Sequence, residues 1–500
     1  MNKKIFLTGL VLSIPSQLFA ATIEVDENKL RSMTKKGSLH YDKIILSHSK
    51  AEAGIAQFND QYAFGIKSET KYMESDEPRE SPWIKTQSIG FGKKTAWGVE
   101  GSMAYVFRHE KLGNLFPALG EQNVAGKQVM FPFVLMRLKF DLWKNLLGSL
   151  DRSKEKNLQA MLSQSKINKS LKEKGYHIFV RTIYWRLVIH DERVRLHSQV
   201  VKLAKRTLKT MRARLRDNVA DKSAVAGMTA NLSQAEASLR TMKFQRNLIE
   251  RQLKLYLPAL LPYTIKVKDT YPGVVTAVKE NIKCADMIGS KKSIPYSYTQ
   301  YDDLMREIDN ALYWKEKELD SYSEPTLSFS LTGRSFGFDK LTEDFIVKDG
   351  EEPEIESLIE KSFNDKQKAI NGVLTLSYPL GQLDKTEKKL ISNAKIANNI
   401  KRSEITARFL SAHSNVQKSI PYLKEAISMS HQSIRDLKGA FKLTQRKLNQ
   451  GRISVFDYTR SQRNLLNAQI QVLGLEEKLI MEMLEYFTVY DQAPCSFNRN

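Results

Sequence analysis

Hydrophobic residues recur at alternating steps of three and four in one stretch of each half of the chain. The first stretch begins near Asp221, and its apolar positions are Leu232, Ala235, Leu239, Met242, Ile249, Leu253 and Tyr256, with Arg246 as the exception to the pattern. The second begins near Ser454 and keeps the same rhythm with Leu465, Ala468, Val472, Leu475, Leu479 and Tyr486, with Glu482 as the exception. This spacing is typical of a coiled-coil seam. It predicts two long amphipathic helices over 221–257 and 454–490.

A break with the same residue chemistry precedes each of these helices. Gly451 suits the left-handed position just past a helix end, and Asn218, its counterpart in the first half, is the next best residue for it. Ser454 and Asp221 are favoured N-cap residues for the helix that restarts three positions later. Each break therefore predicts a tight antiparallel reversal, or tip turn. The helical patterns that lead into the two turns cover about 142–217 and 382–449.

Ahead of the long helices, each half carries segments in which apolar residues alternate with small polar ones. In the second half these segments read "PTLSFSLTGRSFGF" and "GVLTLSYPL". In the first half one strand is marked by Trp97, Val99, Met103, Tyr105 and Phe107, and residues 128–140 form its partner. The pattern predicts a β-hairpin at about 84–140 and another at about 325–380. Alternation over about ten residues is the weak signal of membrane-spanning strands, and a soluble β-sandwich stays open as the alternative.

The first twenty residues have the order of a secretory signal peptide, with cleavage expected after Ala20. A basic head precedes an apolar run, Ile5 to Ile14, and the segment ends on a small residue. With this segment removed, the chain divides into two repeats and a linker. The predicted ranges are 1–20 for the signal peptide, 21–258 for the first repeat, 259–292 for the linker, 293–494 for the second repeat and 495–500 for a C-terminal tail.

The net charge of +22 would suggest nucleic acid as a partner of a cytoplasmic protein, but export removes most of that argument. The basic residues are spread along the helical regions, as on solvated helix faces. We therefore expect no nucleic-acid binding, and attraction to anionic lipid headgroups stays open. The eight histidines lack metal-ligand spacing, and no CxxC motif or phosphate-binding loop occurs. We predict no enzymatic activity, no cofactor and no metal site.

The ordered set of these segments resembles a known family. "LTQRKLNQGRISVFDYTRSQRNLLNAQIQV" is similar to the C-terminal repeat of the TolC-like outer-membrane efflux protein family. "GVLTLSYPLGQLDKTEKKLISNAKI" resembles its strand-to-helix junction, and "TIYWRLVIHDERVRLHSQVVKLAKRTLKTMRARL" resembles its helix leading to the first tip. The resemblance covers nearly the whole chain after the signal peptide.

This resemblance implies a mainly α-helical homotrimer with a membrane β-barrel. Each subunit would contribute four strands to a shared twelve-stranded barrel in the outer membrane, and long antiparallel helices to a tunnel through the periplasm. The tips would meet a periplasmic adaptor protein and, through it, an inner-membrane pump. The function implied is a passive exit duct of a tripartite efflux or type I secretion system. The alternative is a soluble periplasmic coiled-coil scaffold or adaptor without a barrel.

The resemblance also points to residues beside the second tip. Family members commonly carry acidic residues shortly after the glycine, and Asp457 matches one such position. Three copies of Asp457 would form a ring that favours cations, or Asp457 would simply complement the helix dipole. Where some relatives place a second Asp, this chain has Arg460. Both residues are candidates for the aperture of the channel.

Two further features leave alternatives open. Cys284 and Cys495 are the two cysteines, and in an oxidising compartment they form either a disulfide or two free thiols. Residues 339–365 contain ten acidic residues between the two strands of the second hairpin. They are expected to form an extracellular loop that acts as a plug, as a receptor or in no specific role.

Overall fold

A computed structural model describes residues 21–35, 38–74, 82–111, 127–218, 221–290, 299–336, 367–378, 383–450 and 452–490. The chain divides into two compact units. The helical unit contains Met1–Ser47, Ile167–Asp303 and Arg402–Asn500, and the sheet unit contains His48–Lys166 and Leu304–Lys401. The predicted signal peptide, the acidic segment 339–365 and the tail 495–500 lie outside the described residues.

Long helices account for most of the described chain. They are α1 (Glu27–Lys35), α2 (Leu39–Asp60), α3 (Ser149–Arg216), α4 (Lys222–Tyr256), α5 (Tyr271–Gly289), α6 (Gln300–Ser323), α7 (Leu383–Asn449) and α8 (Val455–Val489). The bounds of α4, α7 and α8 agree with the predicted helices to within one residue at each end. Within the ranges that the structure covers, no helix is both long and apolar enough to cross a lipid bilayer.

Helix α3 begins seven residues later than the pattern from position 142 predicts. Gly148 has a φ of 78°, and Leu147 has a φ of 50°, so the backbone leaves the helical conformation just before Ser149. The side chain of Asn145 then accepts hydrogen bonds from the backbone N–H groups of Leu150 and Asp151, at 3.0 and 3.1 Å. These bonds satisfy free donors of the first turn and place the start of the helix after the glycine.

Among the described residues, six strands form one antiparallel sheet in the sheet unit. The strands are β2 (Gly65–Glu74), β3 (Trp83–Lys94), β4 (Val99–Lys111), β5 (Gln128–Asp141), β7 (Thr326–Phe336) and β8 (Gln367–Ser377), in the spatial order β2-β3-β4-β5-β7-β8. Strands β4–β5 and β7–β8 correspond to the two predicted hairpins, but the first part of the range predicted for the first hairpin, 84–140, belongs to β3.

The predicted number of four strands is wrong, because β2 and β3 add a further hairpin. The sequence of β2, "GIKSETKYME", places only Ile66 and Tyr72 as large apolar residues on one face, with charged residues between them. β2 therefore lacks the regular apolar alternation that predicts a strand.

Of the segment predicted only as a linker, 259–292, the described residues 259–290 are folded into the helical unit. It contains β6 (Thr264–Val267) and α5, and β6 pairs in parallel with the N-terminal strand β1 (Thr22–Val25). Pro272 lies in the first turn of α5, where its missing N–H costs nothing. The apolar face of α5 is buried in the core through Val274, Ala277, Val278, Ala285 and Ile288.

The core of the helical unit is built around the C-terminal half of α3. The sequence "TIYWRLVI" is apolar on a wide arc, and Ile183, Tyr184 and Leu187 are each almost fully buried. They belong to one cluster with residues of α4, α5, α7 and α8, among them Leu253, Val278, Ile420, Leu479 and Met483. This packing holds α3, α7 and α8 together in the same unit as the two tips.

Candidate functional site

The first reversal is closed by Asn218, whose φ of 57° is the left-handed conformation expected at this position. Its backbone N–H donates to Leu215 O at 3.1 Å, and the N–H of Asp217 donates to Ala213 O at 3.1 Å. Asp221 occupies the N-cap of α4 with φ −88° and ψ 153°, but its side chain accepts no hydrogen bond from the first turn. The first tip is therefore defined by backbone conformation more than by a side-chain cap.

The second reversal is flanked by well-defined hydrogen bonds, although Gly451 itself lies outside the described residues. The N–H of Gln450 donates to Arg446 O at 3.1 Å, and that of Arg452 donates to Lys447 O at 2.9 Å. Both bonds satisfy carbonyl groups at the end of α7. The chain then enters α8 through Ser454, which has φ −75° and ψ 154°.

Ser454 and Asp457 form a reciprocal cap at the start of α8. Ser454 Oγ accepts a hydrogen bond from the backbone N–H of Asp457 at 3.0 Å, and its hydroxyl donates to Asp457 Oδ2 at 2.5 Å. Within one chain, Asp457 thus complements the positive end of the helix dipole. Its carboxylate is also exposed, as is Arg460 one turn later. The proposed ring of three carboxylates requires other copies and stays a prediction.

Side-chain packing brings the two repeats together directly behind the tips. Thr207 of α3 and Thr459 of α8 are buried, and their hydroxyl oxygens lie 2.9 Å apart. Farther from the tips, α3 and α8 share an apolar cluster of Leu196, Leu203, Leu466 and Leu473. Helices α3 and α8 therefore pack against each other behind the tips. The local sequence at each turn does not predict this contact.

The surface around the tips is strongly basic. Exposed cations within 209–222 and 446–460 are Lys209, Arg212, Arg216, Lys222, Arg446, Lys447, Arg452 and Arg460. The exposed acids over the same described positions are Asp217, Asp221 and Asp457. The excess of cations favours a partner with an acidic surface.

One face of the six-stranded sheet carries large apolar residues on every strand, mixed on β2 and β3 with polar ones such as Thr70, Lys85 and Gln87. Directly paired residues share a face, and the pairs Ile66–Phe91, Phe91–Met103 and Met103–Met136 continue it from β2 to β5. On β7 and β8 the pairs are Leu327–Leu376 and Phe329–Leu374. The face comprises Ile66, Tyr72, Ile89, Phe91, Val99, Met103, Tyr105, Phe107, Val134, Met136, Leu138, Phe140, Leu327, Phe329, Leu331, Ile370, Leu374 and Leu376.

The opposite face of the same sheet is mostly polar and charged, with apolar residues such as Val106, Phe133 and Leu135 on β4 and β5. Its residues alternate with the apolar set and include Lys67, Glu69, Lys71, Thr86, Ser88, Glu100, Ser102, Arg108, Arg137, Lys139, Ser328, Ser330, Thr332, Arg334, Asn371 and Thr375. Many of the apolar side chains are exposed, for example Ile66 at 83% and Leu374 at 64%. An exposed apolar face of this extent marks a surface that meets lipid or another protein.

A buried carboxylate lies in the core of the helical unit, and the sequence reasoning did not single it out. Glu476 of α8 is 0% exposed, and its Oε1 accepts hydrogen bonds from His431 Nε2 at 3.1 Å and from Tyr271 OH at 3.4 Å. Its Oε2 has no partner among the described residues. Burial raises the pKa of Glu476 to about 7, and the nearby Glu192 acts in the same direction. Burial also lowers the pKa of His431, as does Arg435 beside it.

The helical spacing could have revealed Glu476. It follows Val472 by four residues and precedes Ile480 by four, and both are buried, so it must face the core. The seam as defined by its apolar positions alone does not include this residue.

Cys284 is 2% exposed and disulfide-bonded. The other cysteine, Cys495, lies outside the described residues, so the pairing of the two stays a prediction. Within the described ranges, no group of three or more His, Cys, Asp and Glu side chains is arranged to hold a metal ion.

The fold is that of solved outer-membrane channels. The chain matches the outer membrane protein VceC from Vibrio cholerae with a TM-score of 0.59 at 11% identity, covering 93% of this chain and 95% of that chain. It matches the Campylobacter jejuni CmeC outer membrane channel with a TM-score of 0.60 at 12% identity, covering 93% and 85%. For the open state of the Neisseria gonorrhoeae MtrE outer membrane channel, the TM-score is 0.57 at 12% identity, covering 93% and 88%.

No protein-family model and no curated relative matches the chain. At this level of identity the structural matches establish the fold. The mainly α-helical subunit fold with an antiparallel sheet, which the resemblance to TolC-like efflux proteins implies, is therefore confirmed, apart from the number of strands. The trimer, the closed barrel and the internal repeat stay predictions.

Proposed function

We propose that the chain is the subunit of a trimeric outer-membrane exit duct, working in a tripartite efflux or type I secretion system. The single observation that carries the proposal is the two-faced sheet, joined in one chain to long helices with two reversals. The fold shared with solved outer-membrane channels supports it.

The sheet suits a lipid bilayer. Its strands are 10 to 14 residues long, and a tilted strand needs about 9–11 residues to cross the hydrocarbon core. A sheet can span lipid only as a closed barrel, because open edges would leave backbone groups without partners. The apolar face would contact outer-membrane lipid, and the polar face would line a water-filled interior.

The helical unit suits the periplasmic end of such a duct. Its reversals present an exposed basic surface, and we propose that a periplasmic adaptor protein binds there and connects the duct to an inner-membrane pump. Transport through this subunit is passive, with the energy supplied by the pump.

The rival function is a soluble periplasmic scaffold, and subcellular fractionation separates the two. A duct subunit stays with the outer membrane through salt washes and is released only by detergent. A scaffold comes off with salt alone, and that result would remove the channel proposal.

A pair of neighbouring substitutions tests the orientation of the sheet. Leu374 and Thr375 are both exposed in the single chain, but they lie on the apolar and polar faces respectively. Arginine on a lipid-facing position costs about 2–4 kcal/mol near the bilayer midplane. L374R should therefore reduce the amount of protein assembled in the outer membrane, whereas T375R should leave it close to wild type. Equal amounts of the two variants would argue against a lipid-facing apolar face.

A further inference from the structure

We propose that the barrel closes through a seam between β2 of one copy and β8 of the next, so that each copy contributes all six strands. Three copies then form a barrel of eighteen strands rather than twelve. The inference rests on the proposed trimeric channel, and it specifies which surface of one copy binds the next.

The hairpin β2–β3 is a full part of the sheet. Every residue of β2, from Gly65 to Glu74, pairs with a residue of β3. Strand β3 then pairs with β4 over all of Trp83–Lys94 without a break. If the β2–β3 hairpin lay outside the barrel, all of the backbone pairing between β3 and β4 would be lost.

The two-faced pattern extends through the end of the added hairpin that lies next to the β3–β4 turn. There Ile66, Ile89 and Phe91 continue the apolar face, while Lys67 and Glu69 lie on the polar face. Toward the other end the apolar face also carries Thr70, Lys85 and Gln87, so the match with β4 is partial there. The unbroken ladder and the apolar end of the hairpin together indicate that β2 and β3 lie in the barrel wall beside the other four strands.

The two edges of the sheet are suited to each other. Within the described sheet, β2 and β8 each have one neighbour, and they are 10 and 11 residues long. Because the six antiparallel strands are even in number, β2 and β8 run in opposite directions. Edge-to-edge contact between successive copies is therefore antiparallel, and rotation closes the ring with every edge group paired.

A barrel of eighteen strands would admit larger cargo than a barrel of twelve. The diameter of a barrel grows roughly linearly with its strand number, and barrels of about 16–18 strands enclose an aqueous channel. Eighteen strands would make the opening about 1.5 times as wide as twelve would. The membrane end of this duct is thus suited to bulky cargo.

Cysteine cross-linking between copies tests the seam. Glu69 of β2 lies on the polar face, as do Asn371, Val373 and Thr375 of β8. Full-length chains would carry E69C together with N371C, V373C or T375C, so that the three partners cover the unknown register. The matched comparison replaces E69C by S102C, which lies on the polar face of β4. The chain without added cysteines and each single variant are the controls.

We expect oxidation to give cross-linked dimers and trimers on non-reducing gels for at least one E69C pair and for no S102C pair. Cross-links through Ser102 would overturn the inference, because β4 would then be the closing strand of a twelve-stranded barrel, while the proposed channel would stand. If neither the E69C pairs nor the S102C pairs form cross-links, the proposed seam is also overturned. Fractionation then tests the proposed function separately: release of the protein without detergent would remove the channel as well, whereas retention in the membrane would leave it standing.

Discussion

The hydroxyl of Ser454 donates to Asp457 Oδ2 at 2.5 Å, while the backbone N–H of Asp457 donates back to Ser454 Oγ at 3.0 Å. The matching cap position in the first repeat, Asp221, makes no such side-chain bond. The two tips thus have the same order of elements, but only α8 has a side-chain hydrogen bond at its N-cap.

This difference predicts unequal effects of removing the two caps. S454A should lower the free energy of unfolding by about 1 kcal/mol and speed hydrogen exchange of the amides at the start of α8. D221A should change the free energy of unfolding and the exchange of the first amides of α4 much less, because no side-chain hydrogen bond is lost. Denaturant unfolding and amide exchange measure the two effects, and equal losses in the two variants would contradict the cap.

The proposed carboxylate ring predicts a change in ion selectivity. In a trimer with three copies of Asp457 at the aperture, D457N should lower the preference for cations over anions in single-channel recordings. R460Q removes a positive charge one turn away and should shift selectivity in the opposite direction. If D457N leaves selectivity unchanged, Asp457 acts only as part of the helix cap.

The left-handed conformation of Asn218 predicts which residues can replace it. N218G should fold and transport as wild type does, since glycine adopts a φ of 57° without strain. N218V should lower the free energy of unfolding by about 1–2 kcal/mol, because a β-branched residue is strained there. Thermal unfolding measures the loss, and a valine variant as stable as the glycine variant would show that the turn does not depend on this backbone angle.

Glu476 predicts a pH-dependent stability. Its pKa is raised from 4.5 to about 7 by burial, so the folded state favours the protonated form. The stabilisation of the folded state by protonated Glu476 is fully present below about pH 4.5 and is lost as the pH rises through 7. E476Q mimics the protonated side chain, so it should be more stable than wild type at pH 8.5, by on the order of 2 kcal/mol.

The advantage of E476Q should shrink toward pH 5, where Glu476 is itself protonated. E485Q, an exposed carboxylate on the same helix, is the control and should show no such trend. Unfolding of wild type and both variants at the two pH values gives the comparison. A constant difference between E476Q and wild type would argue against a raised pKa.

The buried, bonded Cys284 predicts the thiol content of the chain. Protein denatured without reductant should react with no maleimide reagent, and two thiols should appear after reduction. C495S should then release Cys284 as a reactive thiol under the same unreduced conditions. Two reactive thiols in the unreduced wild type would rule out the bridge between Cys284 and Cys495.

The features predicted correctly from the sequence have local causes. The ends of α4 and α8 follow from cap residues and from a seam with a fixed step, both of which act within a few positions. β2 escaped prediction because Ile66 and Tyr72 share their face with Ser68, Thr70 and Glu74, so that its apolar residues do not alternate regularly with polar ones. The role of Glu476 depends on residues of α3, α5 and α7, which no local pattern relates to one another.

The pairing of β1 with β6 has a consequence for the order of assembly. Thr22 pairs with Thr264, so the first strand has no partner until more than half of the chain has been synthesised. Val25 and Leu30 belong to the same core cluster as the segment that follows β6. The N-terminal segment therefore stays unpaired until the chain through Val267 has reached the compartment in which it folds. Its burial depends on the delivery of the whole first repeat, and not on any residue near it in sequence.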